Sequence, residues 1–307
     1  MTVAAQSGVC AEARSYASFI AFDWQEGMDT ELARHALAQV PMLTQFLAEQ
    51  FPEAGLCSVV AIGVAAWEKL YGAKPKELQA FPAIDNPVID LPRHEWGGLL
   101  HIRSERHDLN FELSQRIAEQ LAPMVAWGEQ IDGFRYLDSR DLTGFVDGTE
   151  NPEGDERADV ALVGNEDPAF VGGSYLHIQR WLHNIPKWQS IPVAEQEQVI
   201  GRTKQDDVEM DDELKPPTAH IARVVIEEDG HELEILRQSM PYGHLGEMGL
   251  MFASYARSAQ PFTRMLTMMF QCDGEGHYDH LLKYSRPVNG ASLFAPSVDF
   301  LKRMAGN

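Results

Sequence analysis

The sequence predicts an α+β fold: two ferredoxin-like (split βαβ) halves in tandem, with antiparallel sheets. Three observations point there. The chain has 307 residues, 44% of them hydrophobic, too many for one average domain of roughly 150 residues. Strand-length and helix-length apolar patterns follow one another as β-α-β-β-α, the order of a split βαβ unit. A strand-then-helix window beginning at Gly98 also recurs beginning at Gly249.

The elements are read in order. Tyr16–Trp24 (YASFIAFDW) is an apolar, aromatic run of strand length. From Thr30 to Phe51 the residues Leu32, Ala36, Val40, Leu43 and Leu47 recur at three- or four-residue steps, the period of a helix. Cys57–Ala65 (CSVVAIGVA) and Gly97–Arg103 (GGLLHIR) read as buried strands, and Asn110–Leu121 as an amphipathic helix. In the second half, Ala219–Glu227 (AHIARVVIE) alternates like a strand and Gly249–Tyr255 (GLMFASY) is another. A helix over Pro261–Phe270 follows, with proline at its first turn. Between GLLHIRSERHDLNF and GLMFASYARSAQPF, glycine, leucine, arginine (Arg106, Arg257) and the final phenylalanine (Phe111, Phe262) fall in register. The expected halves are 1–135 and 136–307. The polar stretch Asp138–Lys215 shows little regular pattern, and its aromatic residues suggest that it packs and builds a site.

Composition removes several functions. The 25 basic and 46 acidic side chains leave a net charge of −21, which repels nucleic-acid phosphates and anionic lipid. No apolar run is long enough for a membrane span. The N-terminal stretch lacks the basic and apolar regions of a signal peptide. Three scattered cysteines, Cys10, Cys57 and Cys272, form no CxxC pair. A reducing, cytoplasmic location is therefore expected. There is no GxGxxG, Walker, GxSxG or HExxH motif. DDVEMDDE at Asp206–Glu213 reads as a solvated loop, since a divalent-cation loop wants turn glycines between the acids.

Three local signals remain. GFVDGTENP, Gly144–Pro152, makes a glycine-permitted bend that projects the Asp147 carboxylate. It is either an Asx turn or a place where backbone approaches a flat ligand. His220, in PPTAHIARVVIE, opens the strand expected there and is either a core histidine or a ligand. Arg237 and Ser239, in LRQSMPYG, point the same way on an extended segment. An inward arginine needs an anion, for which Asp147 or a cofactor carboxylate would serve.

Together, GFVDG, His220 and the RxS of Arg237 and Ser239 resemble, in order and spacing, the signature of dye-decolorizing peroxidases of the short bacterial cytoplasmic branch. GGSYLHIQRW at Gly172, IGRTK at Ile200, GLMFASY at Gly249 and NGASLFAPS near the C-terminus extend the resemblance over most of the chain. It implies one haem b per chain, mainly in the C-terminal half, with iron held axially by His220 and Asp279 bonded to that imidazole. Asp147 and Arg237 are implied on the opposite, distal side, with Ser239 in their hydrogen-bond network. Gly148 and Thr149 are implied against the cofactor, Arg202 beside a propionate, and Leu250 and Phe252 against the porphyrin. The implied activity is reduction of hydrogen peroxide and oxidation of small organic donors, such as dyes, phenolics or porphyrinogens, through a ferryl intermediate. The alternative is a haem- or porphyrin-handling protein that binds, stores or releases iron, with incidental peroxidase activity. A non-haem ferredoxin-like binding module is a third reading. The family also implies a homo-oligomer. Arg237 beside Asp147 is expected to keep that carboxylate charged to lower pH than a free one, placing the activity optimum on the acid side of neutral.

Overall fold

The computed structural model describes residues 3–87, 89–228 and 230–306. Its first half comprises β1 (Tyr16–Trp24), α1 (Thr30–Gln50), β2 (Cys57–Gly63), α2 (Val64–Tyr71), β3 (Gly98–Ser104), α3 (His107–Leu121) and β4 (Val125–Phe134). The second comprises α4 (Glu156–Ala161), β5 (Ser174–His183), α5 (Ile185–Gln189), α6 (Val193–Ile200), α7 (His220–Val224) and the short pairs β6 (Glu227–Glu228) and β7 (His231–Glu232). It continues through β8 (Leu236–Arg237), β9 (Met240–His244), β10 (Glu247–Ala256), α8 (Gln260–Phe270), β11 (Ser285–Ala295) and α9 (Val298–Met304).

The first four strands lie in the order β2-β3-β1-β4 and the main strands of the second half in the order β11-β5-β10-β9, all antiparallel. Each is the strand order of a ferredoxin-like sheet. The sheets meet edge to edge twice, through Leu293 and Phe294 of β11 on β2, and through Tyr242 of β9 on Gly133 of β4. The eight strands therefore close into a ring, which leaves few free edges. The recurrent sequence windows occupy equivalent places, β3 with α3 and β10 with α8. The matched phenylalanines differ in role: Phe111 is exposed and Phe262 buried.

Three apolar layers hold this together. Between the sheets lie Phe19, Ala61, Leu176, Ile178, Met251, Ala253, Tyr255 and Leu293. Helices α1, α2, α3 and α9 cover the outer face of the first sheet. Helix α1 starts at Asp29, whose carboxylate accepts from the Glu31 and Leu32 N–H groups at 2.9 and 3.1 Å, a helix N-cap. It buries Ala33, Ala36, Leu37, Val40 and Leu47, and leaves Leu32 exposed. Helix α8 lies over the second sheet with Phe262, Leu266, Met269 and Phe270 turned inward.

Two expectations need correcting. The segment expected as a strand at Ala219–Glu227 is mostly the short helix α7. Alternation at 220, 222, 224 and 226 competed there with the helical spacing of Ile221, Val224 and Val225, which face a cavity. Helix geometry also lets buried Arg223 bond the Met268 and Gln271 carbonyls at the end of α8, both at 2.8 Å. The stretch 138–215, read as little patterned, contains β5, a strand paired on both sides. Its buried His177 and Gln179 broke the apolar pattern that marks a central strand.

Candidate active site

One large cavity opens on the outer face of the second sheet, with about 260 Å³ open to the centre of a water molecule. The sheet contributes Gln179, Trp181, Arg237, Leu250 and Phe252; α7 and α8 contribute His220, Ile221, Val224, Phe262, Met265, Leu266 and Met269. The turn from Asp141 to Glu150 closes another side. All these residues belong to the second half.

His220 stands at the first position of α7. Its Nδ1 bonds the Asp279 carboxylate at 2.6 Å. Asp279 is fully buried, and its other oxygen accepts from the Leu281 N–H at 2.8 Å. Its own N–H donates to the Met269 carbonyl at 3.0 Å, so the strut is anchored to α8. Nδ1 is thus committed, whereas Nε2 takes no hydrogen bond among the described residues and the side chain is 28% exposed. An imidazole oriented through one nitrogen, with the other free toward a cavity, has the form of a metal ligand.

The turn that carries Asp147 is fastened at several points. The Asp147 N–H donates to the Ser139 carbonyl at 3.0 Å, and the Arg140 guanidinium bonds the Gly144 and Lys204 carbonyls at 3.0 and 2.6 Å. Gly148 follows Asp147 at φ +85°, where a side chain would be strained. Arg237, on β8, faces the same cavity, and no carboxylate comes within 4.0 Å of its guanidinium among the described residues. Acid and guanidinium share the cavity without pairing.

Burial reverses the expected effect on Asp147. Burial pushes its carboxyl above the ordinary aspartate value of 3.8; Arg237 pulls it back, Asp141 pushes it further up, and His220 and the Gly148 N–H oppose the rise. Asp141 is itself held below the ordinary range. Burial works against that, but the charge and hydrogen bond of His183 and the bonds from Thr143 outweigh it.

The other expected residues divide. Gly148, Thr149, Leu250 and Phe252 wall the cavity. Arg202 does too, but it is already occupied: it bonds Asp207 at 2.9 Å and Glu150 at 2.9 Å, with Glu209 at 3.7 Å. Asp207 and Glu209, from the acidic run read as a solvated loop, are thus partly spent on that arginine. Ser239 is not among the cavity-lining residues. Its Oγ accepts the N–H of Ala253 on β10 at 3.3 Å, in the gap between β8 and β9, both of which pair with β10.

Sequence reading passed over several wall residues. His183 bonds Asp141 at 3.1 Å and Ser285 at 2.8 Å, and Gln179 lies opposite Phe252. Neither has a local motif; only their pairing across the fold marks them. Asn151 is different, because it sits inside GFVDGTENP. Its side chain accepts from the Arg237 N–H at 2.8 Å and donates to the Arg237 carbonyl at 2.7 Å.

In chemical terms, an imidazole nitrogen and a guanidinium, both without a partner among the described residues, converge with an acid on apolar walls. Such a set can ligate a metal centre, move a proton and hold developing negative charge. Comparison with known proteins agrees. Residues 6–135 match the N-terminal domain of the Dyp-type peroxidases and residues 138–300 the C-terminal domain. A dye-decolorizing peroxidase of Rhodococcus erythropolis is 42% identical over 289 residues, 93% of this chain and 84% of that protein. The Escherichia coli deferrochelatase is only 24% identical, over 78% of this chain and 65% of its own length. A Dyp-type peroxidase structure from Shewanella oneidensis superposes with a TM-score of 0.96 at 42% identity, covering 99% of both chains. A variant of Rhodococcus jostii DypB solved in complex with heme superposes at 0.92, with 35% identity over 97% of this chain and 99% of that one. An encapsulated Mycobacterium smegmatis enzyme does so at 0.93, with 39% identity over 98% of both chains. The chain belongs to the Dyp-type peroxidase family.

Proposed function

We propose that His220, Asp147 and Arg237 are the working residues of a haem-dependent peroxidase that reduces hydrogen peroxide at the expense of organic donors. One observation carries the assignment: the His220 ring, fixed through Nδ1 by buried Asp279, leaves Nε2 free in a cavity that Asp147 and Arg237 also face. The donor set would fit haem: the His220 imidazole, braced by the Asp279 carboxylate, would hold the iron, and the walls Leu250, Phe252, Phe262 and Met265 are apolar. Haem bound there supplies a redox-active iron at which peroxide is reduced.

The remaining work falls to side chains. Cleavage of the O–O bond needs a proton moved from the inner peroxide oxygen to the outer one, and the Asp147 carboxylate is the group to move it. Negative charge developing on the outer oxygen is held by Arg237, which has no carboxylate within 4.0 Å among the described residues. Thr149 and Gly148 sit beside this acid, and Arg202 is assigned to a cofactor propionate, shared with its present carboxylate partners. Ser239 acts through the backbone of β10 rather than on the ligand.

The low identity to deferrochelatases, against 42% to a dye-decolorizing peroxidase, favours turnover over haem handling. We further assign the division of halves to 135/136, a cytoplasmic location, small phenolic or dye donors and a homo-oligomeric state. Substitution His220→Ala tests the centre of the reading. Haem retention should be lost, and a variant that keeps haem with an unaltered Soret band removes His220 as the ligand. Peroxide turnover with a phenolic donor, set against iron release, separates the peroxidase from the handling alternative.

A further inference from the structure

On the sheet face that backs the cavity, three neighbouring side chains, of which Gln179 lines the cavity itself, lack what buried polar groups require. Ser254, His177 and Gln179 are 1%, 3% and 2% exposed. The atoms Ser254 Oγ, His177 Nδ1 and Gln179 Nε2 have no hydrogen-bond partner among the described residues. Scattered, they would be three separate oddities. They are contiguous.

Ser254 of β10 is the register partner of Arg237 on one side and of His177 on the other. Antiparallel partners present their side chains on one face. Gln179 is two residues on from His177, hence on that same face, opposite Phe252. The strip therefore starts at Arg237, crosses β10 to β5 and ends at Gln179. Arg237 and Gln179 both wall the cavity. Phe262 of α8 closes the strip from above, stacked on the His177 ring at 4.1 Å between centroids.

Buried donors and acceptors are almost always satisfied, and an unsatisfied one costs the full loss of its hydration. A hydroxyl, an imidazole nitrogen and an amide together offer both donors and acceptors. Burial holds His177 neutral, its pKa pushed down to about 3, so the three groups bring no charge. The strip matches a small, neutral molecule able both to donate and to accept. Phe252 and Phe262 flank the strip with apolar rings.

We propose that Ser254, His177 and Gln179 form a buried water-binding annex of the cavity, adjoining Arg237. Its use rests on the reading that peroxide is reduced beside Arg237. Each peroxide reduced by two electrons and two protons yields two waters, and the annex gives water formed there a polar place to move into.

The test uses the haem-loaded protein, with haem content determined separately from its absorption spectrum. A crystal structure should show ordered water within about 3.2 Å of at least two of the three groups. Cofactor atoms in those positions, or side chains turned to bond one another with no water between them, overturn the proposal. The apolar Gln179→Met, of similar length, gives an independent sign. Where Gln179 binds water, the substitution loses that bond and lowers the unfolding midpoint by about 2–4 °C. Where the amide is merely stranded, an apolar replacement leaves the midpoint unchanged or raises it, and the annex is refuted. Protein that carries no haem defeats the haem reading alone, since the water test stands on its own result.

Discussion

The imidazole of His220 and the carboxylate of Asp279 meet at 2.6 Å, and that carboxylate is completely buried. A carboxylate so placed fixes the ring's orientation and strengthens Nε2 as an electron donor to a metal. In Asp279→Asn the charge goes while the shape stays. Haem affinity should fall about 10- to 100-fold, and the reduction potential of the bound iron should rise as its axial ligand donates less. Haem titration and spectroelectrochemistry check both, and unchanged values in the variant would remove Asp279 from the site.

On the proposed function, Asp147 should set the acid limb of the peroxide reaction. Burial first, and the Asp141 carboxylate in support, hold its carboxyl above 3.8, so it becomes a usable proton acceptor only at higher pH than a free aspartate. The limb should therefore lie above that value in the wild type. Asp141→Asn removes one of the two upward influences and should shift the limb to lower pH. Asp147→Asn should keep haem but slow the reaction with peroxide by about 10²-fold or more. Stopped-flow rates across pH measure all three. A wild-type maximum near pH 8 or above would argue against a carboxylate acceptor.

The fold was legible because both halves repeat one strand order, and because β1, β2, β3 and β10 are apolar enough to announce themselves. The identities of Asp147, His220 and Arg237 as candidates were legible from short motifs. Their surroundings were not. Alternation suggested a strand at His220 because residues 220–226 satisfy two periods at once, and only the packing of Arg223 against the end of α8 selects the helix. The direction of the Asp147 shift depends on whether Arg237 pairs with it or merely faces the same space. No spacing in sequence carries that distance.

Asn151 ties the turn that carries Asp147 to Arg237. Its amide bonds both the N–H and the carbonyl of Arg237, at 2.8 and 2.7 Å, while its backbone belongs to the turn that projects Asp147. Two neutral hydrogen bonds contribute about 1–3 kcal/mol together, so Asn151→Ala should lower stability by that order. It should also slow the peroxide reaction by loosening the position of Arg237. If the effect runs through Arg237, Asn151→Ala should add little to the rate already lost in Arg237→Leu. Simple multiplication of the two losses in a double-mutant cycle would show that they act independently.

Acid should unfold this protein from an unusually high starting pH, because two buried histidines cannot take up protons without opening the fold. Burial lowers the pKa of His177 to about 3 from an ordinary 6.5. Burial and the neighbouring Arg103 place His101 well below 6.5 too. The sign follows from which state binds the proton. Below 6.5 the unfolded chain protonates both rings and the folded chain does not, so their stabilising contribution is complete above 6.5 and is lost as pH falls toward about 3. Each such ring steepens the fall by up to about 1.4 kcal/mol per pH unit. Denaturant unfolding at a series of pH values should show stability declining from about 6.5 downward, before most carboxylates titrate. NMR should find the His177 ring still neutral at pH 5. A stability curve flat between pH 7 and 4.5, or a His177 ring that titrates near 6.5, would mean that burial does not hold these histidines neutral in the folded protein.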